Sequence, residues 1–326
     1  MKKQILALSL LAIGLASCGK SEAPYDFKWV TPTGAPTLAF YDQGSNANWV
    51  SASNPSEIVV PSFAANSYDA IVFDGVSGLN LMTKNAKAAN YKLARWINSL
   101  GFYVVSLKHT VEDTKTWDAS WTVDAFVQTG NSSRAFVSLA TSVWNWSIGE
   151  GKITYETGVS QVAANIPTNG FDFYVVADPI YTTLKGKMGD KLHLIYDLQE
   201  EWGKAHDGSS IPSAALFVNS SLYSAHQASY DAFLSETNSR IDTLVDSPST
   251  AQTALEEYAA NNETAVVNGD YVKFGISTSI VSNLATLQKK NAFGFLKTGV
   301  IEDKKAVADS FNKALGGNEF DAGLFL

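Results

Sequence analysis

YDAIVFDGVSGLNLMTKNAK, Tyr68–Lys87, is the stretch on which the reading of this chain turns. Its first half, Tyr68–Gly75, is apolar without alternation, the pattern of a strand covered on both faces. Such a strand is expected to be central and parallel in its sheet. Asp74-Gly75 ends it, and VSGLNLMTKNAK follows as a helix. Strand, turn of small residues, helix is the repeating unit of an α/β protein, so the question is whether the unit recurs.

It does. DFKWVTP is an amphipathic strand running into TGAPTLAFY, where Pro36 suits a first helical turn. SWTVDAFVQTG runs into NSSRAFVSLATSVW, which has helical periodicity, and FDFYVVADP is a buried strand followed by helical residues from Tyr181. SEIVVPS, YKLARWIN, GFYVVSL, KITYETG and KLHLIYD read as further strands, the last leading into a polar segment. VSQVAANIPTNG reads as a helix ended by Asn169-Gly170. From IPSAALFVN onward the pattern becomes mostly helical, with SAHQASYDAFLSETNSRIDTLV and STAQTALEEYAAN as long helices. No repeat of fixed period appears. The expected fold class is α/β.

Four strand-to-helix turns are candidates for binding: Thr31–Pro36 (TPTGAP), Phe73–Gly78 (FDGVSG), Gln128–Ser133 (QTGNSS) and Ala177–Tyr181 (ADPIY). In a doubly wound sheet such turns lie at the carboxyl ends of strands, where ligands bind. Free N–H groups at helix starts favour anions or polar head groups, and glycine allows close approach to the backbone. Each turn also has an ordinary reading. Gly-Ala-Pro is a helix start, Gly75 and Gly78 are packing glycines, and Ser132 and Ser133 are N-caps. Their order along the chain carries more than any one of them.

Composition narrows the function. The 326 residues are 45% hydrophobic and 17% charged, enough for two domains with a sizeable core, and the net charge is −8. No basic patch marks a nucleic-acid partner. Cys18 is the one cysteine, so no intrachain disulfide or Cys-based metal site exists. His109, His193, His206 and His226 stand far apart without ligand spacing, and neither metal nor cofactor is expected.

The N-terminus admits two readings. GLASCGKS, Gly14–Ser21, matches the phosphate-binding pattern G-x-x-x-x-G-K-[ST], and its Leu15–Cys18 is also a lipoprotein cleavage site. A P-loop needs a buried strand before it and a helix after it. Before Gly14 stand two lysines and an apolar run, the n- and h-regions of a signal peptide; after Ser21, prolines at 24, 32 and 36 exclude a helix. AIVFD, a Walker B-like strand, adds little. The expectation is a signal peptide over 1–17, lipid (palmitate) on Cys18 and a tether over 18–26.

In this order, L-A-S-C, P-T-G-A-P, D-A-I-V-F-D-G-V-S-G and Y-V-V-A-D-P resemble the solute-binding proteins of ABC importers, in the nitrate, sulfonate, taurine and pyrimidine-precursor branch. I-Y-D-L-Q-E-E-W followed by I-P-S-A-A-L-F-V-N is the most specific part, and the resemblance runs from about Phe27 to Asn219. It implies a two-lobed, type II periplasmic-binding-protein-like fold, each lobe a doubly wound sheet flanked by helices, with two crossover strands. Lobe 1 would comprise 27–104 plus 212–326 and lobe 2 105–211. The ligand would lie between Thr33, Gly34 and Ala35 with Asp74, Gly75 and Ser77 on one side, and Thr129, Asn131 and Ser132 with Asp178 and Tyr181 on the other. Trp29, Trp144, Trp146 or Tyr181 would stack on a planar ring, the ordinary reading of each Trp being core packing.

Departures from the pattern matter. Asp74 stands where related proteins often carry a neutral residue, and no arginine marks an obvious anion clamp; Arg134 is the one candidate, on a helix expected to turn it outward. A strongly anionic ligand is disfavoured. The implied function is a lipid-anchored monomer on the outer face of a bacterial membrane, passing a small polar or heterocyclic molecule to the importer's permease subunits. The runner-up is an enzyme on the same fold, akin to pyrimidine synthases or menaquinone-pathway enzymes. Against it, no G-x-S-x-G, catalytic cysteine or H-E-x-x-H appears. A surface sensor or adhesin is the third reading.

Overall fold

The computed structural model describes residues 25–85 and 88–326. The signal-peptide and lipidation readings, Cys18 among them, lie outside the described residues.

The chain first lays down β1 (Trp29–Pro32), a 3₁₀ turn over Ala35–Phe40, β2 (Trp49–Ala52), α1 (Pro55–Ala65), β3 (Ala70–Asp74), α2 (Gly75–Lys84) and β4 (Tyr91–Trp96). It then crosses into β5 (Phe102–Ser106), β6 (Val123–Phe126), α3 (Asn131–Ser142), β7 (Ile153–Glu156), α4 (Val159–Asn165), β8 (Phe173–Ala177), α5 (Ile180–Met188), β9 (His193–Asp197) and α6 (Leu198–Ala205). It returns in β10 (Ala214–Asn219) and continues through α7 (Ser220–Ala225), α8 (Gln227–Asp246) and α9 (Pro248–Ala260). Three two-residue strands follow, β11 (Val266–Val267), β12 (Asp270–Tyr271) and β13 (Ile276–Ser277), then α10 (Thr278–Ser282), α11 (Leu284–Lys289) and α12 (Lys304–Ala314).

Two five-stranded sheets result, ordered β2-β1-β3-β10-β4 and β7-β6-β8-β5-β9. The same plan is used twice. In each, three neighbouring strands run parallel and the strand that enters from the other sheet's sequence, β10 or β5, is antiparallel to both its neighbours. β3 is central as expected, parallel to β1 on one side but antiparallel to β10 on the other. β5 runs across the expected 104/105 lobe boundary and pairs entirely within the second sheet.

The two crossings run side by side. Ile97 N–H donates to the Ala214 carbonyl at 2.8 Å, Ala214 N–H to Asn98 Oδ1 at 3.1 Å, and Ser99 Oγ–H to the Ile211 carbonyl at 2.9 Å. Gln199, on α6, fastens them. Its Nε2 donates to Ser99 Oγ, Leu100 O and Ile211 O, and its Oε1 accepts Ile211 N–H at 2.9 Å. This is the physical content of the Leu-Gln-Glu-Glu-Trp segment: a glutamine amide offers both donor and acceptor to backbone that has left its sheet.

Local structure departs from the sequence reading in four places. SEIVVPS is not a strand but lies within α1, where Pro55 occupies the first turn and Val59 and Phe63, four apart, both face the core. The three β-branched residues Ile58–Val60 imitate a strand only when that spacing is ignored. The polar segment after KLHLIYD is the helix α6, started by the Asp197 carboxylate on Gln199 and Glu200 N–H. TGAPTLAFY forms a 3₁₀ turn, and the strands β2 and β11–β13 had no counterpart in the sequence reading.

Most buried side chains form one core that includes residues from both sheets; a smaller cluster around Val105, Tyr174 and Val176 lies on the other face of the second. Phe311 of α12, fully buried, is touched by Trp202 of α6 at 4.9 Å between ring centroids and lies under the Arg134 guanidinium of α3 at 5.9 Å. Among the described residues no helix is long and apolar enough to cross a membrane.

Candidate ligand-binding site

Strand register places the four candidate turns. Trp29 and Val30 pair with Ala70 and Ile71, so Thr33–Ala35 and Asp74–Ser77 leave neighbouring strands at the same end of the first sheet. Val123 and Asp124 pair with Phe173 and Tyr174, so Thr129–Ser132 and Asp178–Tyr181 are likewise neighbours in the second.

Two of these turns meet across the sheets. Asp74 caps its own helix through Ser77 N–H at 2.9 Å, and its second oxygen accepts Asn131 N–H, the start of α3, at 3.0 Å. Ser77 Oγ–H donates to the Thr129 carbonyl at 2.8 Å, and Asn131 Nδ2 donates to the Pro212 carbonyl at 2.8 Å. Ser77, Asn131 and Ser132 are buried, whereas Thr129 is exposed. Burial pushes the Asp74 carboxyl up to about 6, outweighing its hydrogen bonds and the Arg134 charge. Burial also lowers the Arg134 guanidinium, with Asp74 acting in the opposite sense. Arg134 is half-buried with its guanidinium over the Phe311 ring, not turned outward as expected.

Gly75 and Gly78 are packing glycines. A Cβ on Gly75 would lie 2.0 Å from the Trp96 ring, and one on Gly78 would lie 2.5 Å from the Phe217 ring.

The other turns are held by their own side of the molecule. Gly34, at φ 103°, donates its N–H to the Phe274 carbonyl at 2.8 Å, so the hairpin after β12 lies on Thr33–Ala35. Asp178 accepts from Tyr103 Oη–H at 2.9 Å and from Thr182 N–H and Oγ1–H at 2.9 and 2.7 Å. Tyr181 stacks on Tyr103, centroids 4.1 Å apart. Burial raises the carboxyls of both Asp178 and Asp197; Lys290 opposes the shift at Asp178, and the Asp178 charge adds to it at Asp197.

Trp29 lies away from the turns, buried and parallel to Trp49 within the aromatic core of the first sheet. Trp146 is buried, donating Nε1–H to the Thr114 carbonyl, and Trp144 stacks on Tyr196 at 4.0 Å. Sequence reasoning did not pick out Gln199, Pro212 or Lys290. Gln199 and Pro212 leave a signal through the L-Q-E-E-W and I-P-S-A motifs that contain them, and Lys290 leaves none.

No family model matches the chain, and no curated protein matches its sequence. Solved structures do resemble it. An ABC transporter from Parabacteroides distasonis shares 16% identity at a TM-score of 0.56, over 92% of this chain and 98% of that one. The ligand-binding component of an ABC-type import system from Staphylococcus aureus shares 11% at 0.63, over 92% and 95%. The alkanesulfonate-binding protein SsuA from Xanthomonas axonopodis pv. citri, bound to MOPS, shares 14% at 0.56, over 94% and 99%. The chain has the periplasmic-binding-protein fold. In that fold's terms, β5 and β10, each antiparallel to both neighbours in its own sheet, are the strands into which the expected crossovers run, and the Asp74–Asn131 contact lies where the two sheets' strand ends face each other.

Proposed function

We propose that the chain is a lipid-anchored, extracytoplasmic solute-binding protein that delivers a small polar or heterocyclic molecule to an ABC importer. The observation that carries this is the meeting of the β3–α2 and β6–α3 turns, which belong to different sheets yet share the Asp74–Asn131 and Ser77–Thr129 hydrogen bonds. The named roles of its structural neighbours support it. The two sheets, each with the helices around it, would form lobes that close like a clamshell on a ligand held by Thr33–Ala35, Asp74–Ser77, Thr129–Ser132, Asp178 and Tyr181. A ligand favours the closed state by the extra contacts it makes there, and the permease subunits read that state. The protein acts as a monomer, tethered to the membrane through lipid on Cys18.

Thermal-shift and calorimetric screening of tag-free protein against polar and heterocyclic metabolites tests the binding role. The expected result is a stoichiometric binder that raises the melting temperature. Silence across the panel sinks the reading. Cys18→Ser, expressed in a bacterial host, is expected to move the protein from the membrane to the soluble extracytoplasmic fraction; unchanged membrane association refutes the lipid tether.

A further inference from the structure

We propose that Asp74 is a specificity-determining residue: its own carboxylate fills the place an anion would take at the start of α3, so the ligand bears no net negative charge and binds by donating hydrogen bonds. This deepens the solute-binding reading and rests on it.

The Asn131 N–H, at the start of the twelve-residue helix α3, is the kind of donor that recruits a ligand anion. Here it is taken by Asp74 Oδ2 at 3.0 Å, from the opposite sheet. A second observation points to the same ligand chemistry. The Pro212 carbonyl can only accept, which fixes the Asn131 amide with Nδ2 toward it. Asn131 Oδ1 is thereby left as an acceptor without a partner on a residue only 1% exposed. A buried acceptor on the residue whose N–H binds the Asp74 carboxylate calls for a donor from outside the chain.

The remaining charges agree. Asp178 follows β8 and Asp197 ends β9, and the cationic groups whose charge acts on these carboxylates are Arg134 at Asp74 and Lys290 at Asp178. The Arg134 guanidinium already lies over the Phe311 ring. An incoming sulfonate or carboxylate at contact distance from Asp74 would meet like-charge repulsion worth roughly a thousandfold in affinity in a partly buried site. A ring N–H, amide or amine meets acceptors instead.

The test is calorimetry and thermal shift on the full mature chain with two probe sets, ethanesulfonate as the anion and a series of aminopyrimidines, imidazoles and primary amides as uncharged or cationic donors. Wild type is expected to bind at least one donor compound and to ignore ethanesulfonate. Asp74→Ala, which frees the α3 N–H, is expected to gain ethanesulfonate affinity by about 100-fold and to lose the donor compound by a similar factor. Asp74→Asn keeps one capping oxygen and serves if the alanine variant fails to fold; it is expected to show the same exchange of preference. Wild-type binding of ethanesulfonate at least as tight as any donor overturns the role of Asp74 while leaving the solute-binding reading standing. So does an anion response unchanged in both variants. Failure of every compound of either class on the wild type overturns both.

Discussion

Asp74 and Asn131 lie 57 residues apart, yet the carboxylate of one accepts the backbone N–H of the other at 3.0 Å, between helices that follow strands of different sheets. One side chain therefore starts two helices, α2 through Ser77 and α3 through Asn131. The arrangement is costly. Burial raises the Asp74 carboxyl from 3.8 to about 6 even though two N–H groups and Arg134 favour its charge. A protein selected for stability alone would not keep an ionised carboxylate there.

The sign of the resulting pH dependence follows from that shift. Above about pH 6 Asp74 is ionised both folded and unfolded, and the native state bears the desolvation cost in full. As pH falls from about 6 toward about 4, the native state takes up the proton first, so this group's contribution to stability rises, by up to about 3 kcal/mol. Asp74→Asn loses one charge-assisted cap but removes the buried charge, for a net gain of about 1–2 kcal/mol at pH 7. Urea unfolding of both proteins at pH 7 and pH 4.5 checks this, with the advantage of the variant shrinking at the lower pH. An Asp74→Asn protein less stable than wild type at pH 7, by a pH-independent margin, would refute the cost assigned to the charge.

Gln199→Ala removes the amide that serves both crossings at once. The Leu100 carbonyl and the Ile211 N–H lose their side-chain partner in a part-buried site, and the Ile211 carbonyl is left with Ser99 Oγ–H alone. The expected cost is about 2–4 kcal/mol, with Gln199→Glu nearly as costly because a carboxylate cannot donate to the two carbonyls. Denaturant midpoints measure it. A Glu variant as stable as wild type would show that the donor half of the amide is dispensable.

Gly75→Ala and Gly78→Ala each drive a methyl group into a ring of the first sheet, Trp96 in one case and Phe217 in the other. Both rings are buried, so neither moves freely, and about 2–4 kcal/mol of destabilisation is expected at each position. Gly75 is the more severe, since Ala215 Cβ also stands 3.0 Å from the added atom. Melting temperatures that match wild type would contradict the packing role.

These residues show what a sequence discloses. An apolar run closed by Asp-Gly marks β3 and its turn, because burial on both faces and helix initiation are local demands. The Asp74–Asn131 partnership is not local, and no spacing hints at it. α1 was obscured because Ile58, Val59 and Val60 favour a strand locally, whereas the core accepts Val59 and Phe63 from one helical face. Trp29 attracts attention as a stacking residue beside a candidate turn. The parallel Trp49 ring and the core around it account for Trp29 without a ligand. The antiparallel insertion of β5 and β10 depends on which sheet each crossing enters, and hydrophobic pattern carries no such information.

Phe311 offers a way to separate holding the sheets together from holding the fold together. It sits on α12, which packs against α2 and β4, but its ring meets Trp202 and Arg134 from helices of the other sheet. Phe311→Ala is expected to cost about 3–5 kcal/mol, as a fully buried aromatic does. Part of that loss should appear as opening between the sheets, seen as faster amide exchange over residues 129–134 and a larger radius of gyration in solution. Phe217→Ala is the control, equally buried but packed on Phe63 of α1, a helix of the first sheet's own side. It should destabilise by a similar amount with no change in either readout short of global unfolding. If both variants expand alike, the Phe311 contact is ordinary core and closure rests on the Asp74–Asn131 bond and its neighbours alone.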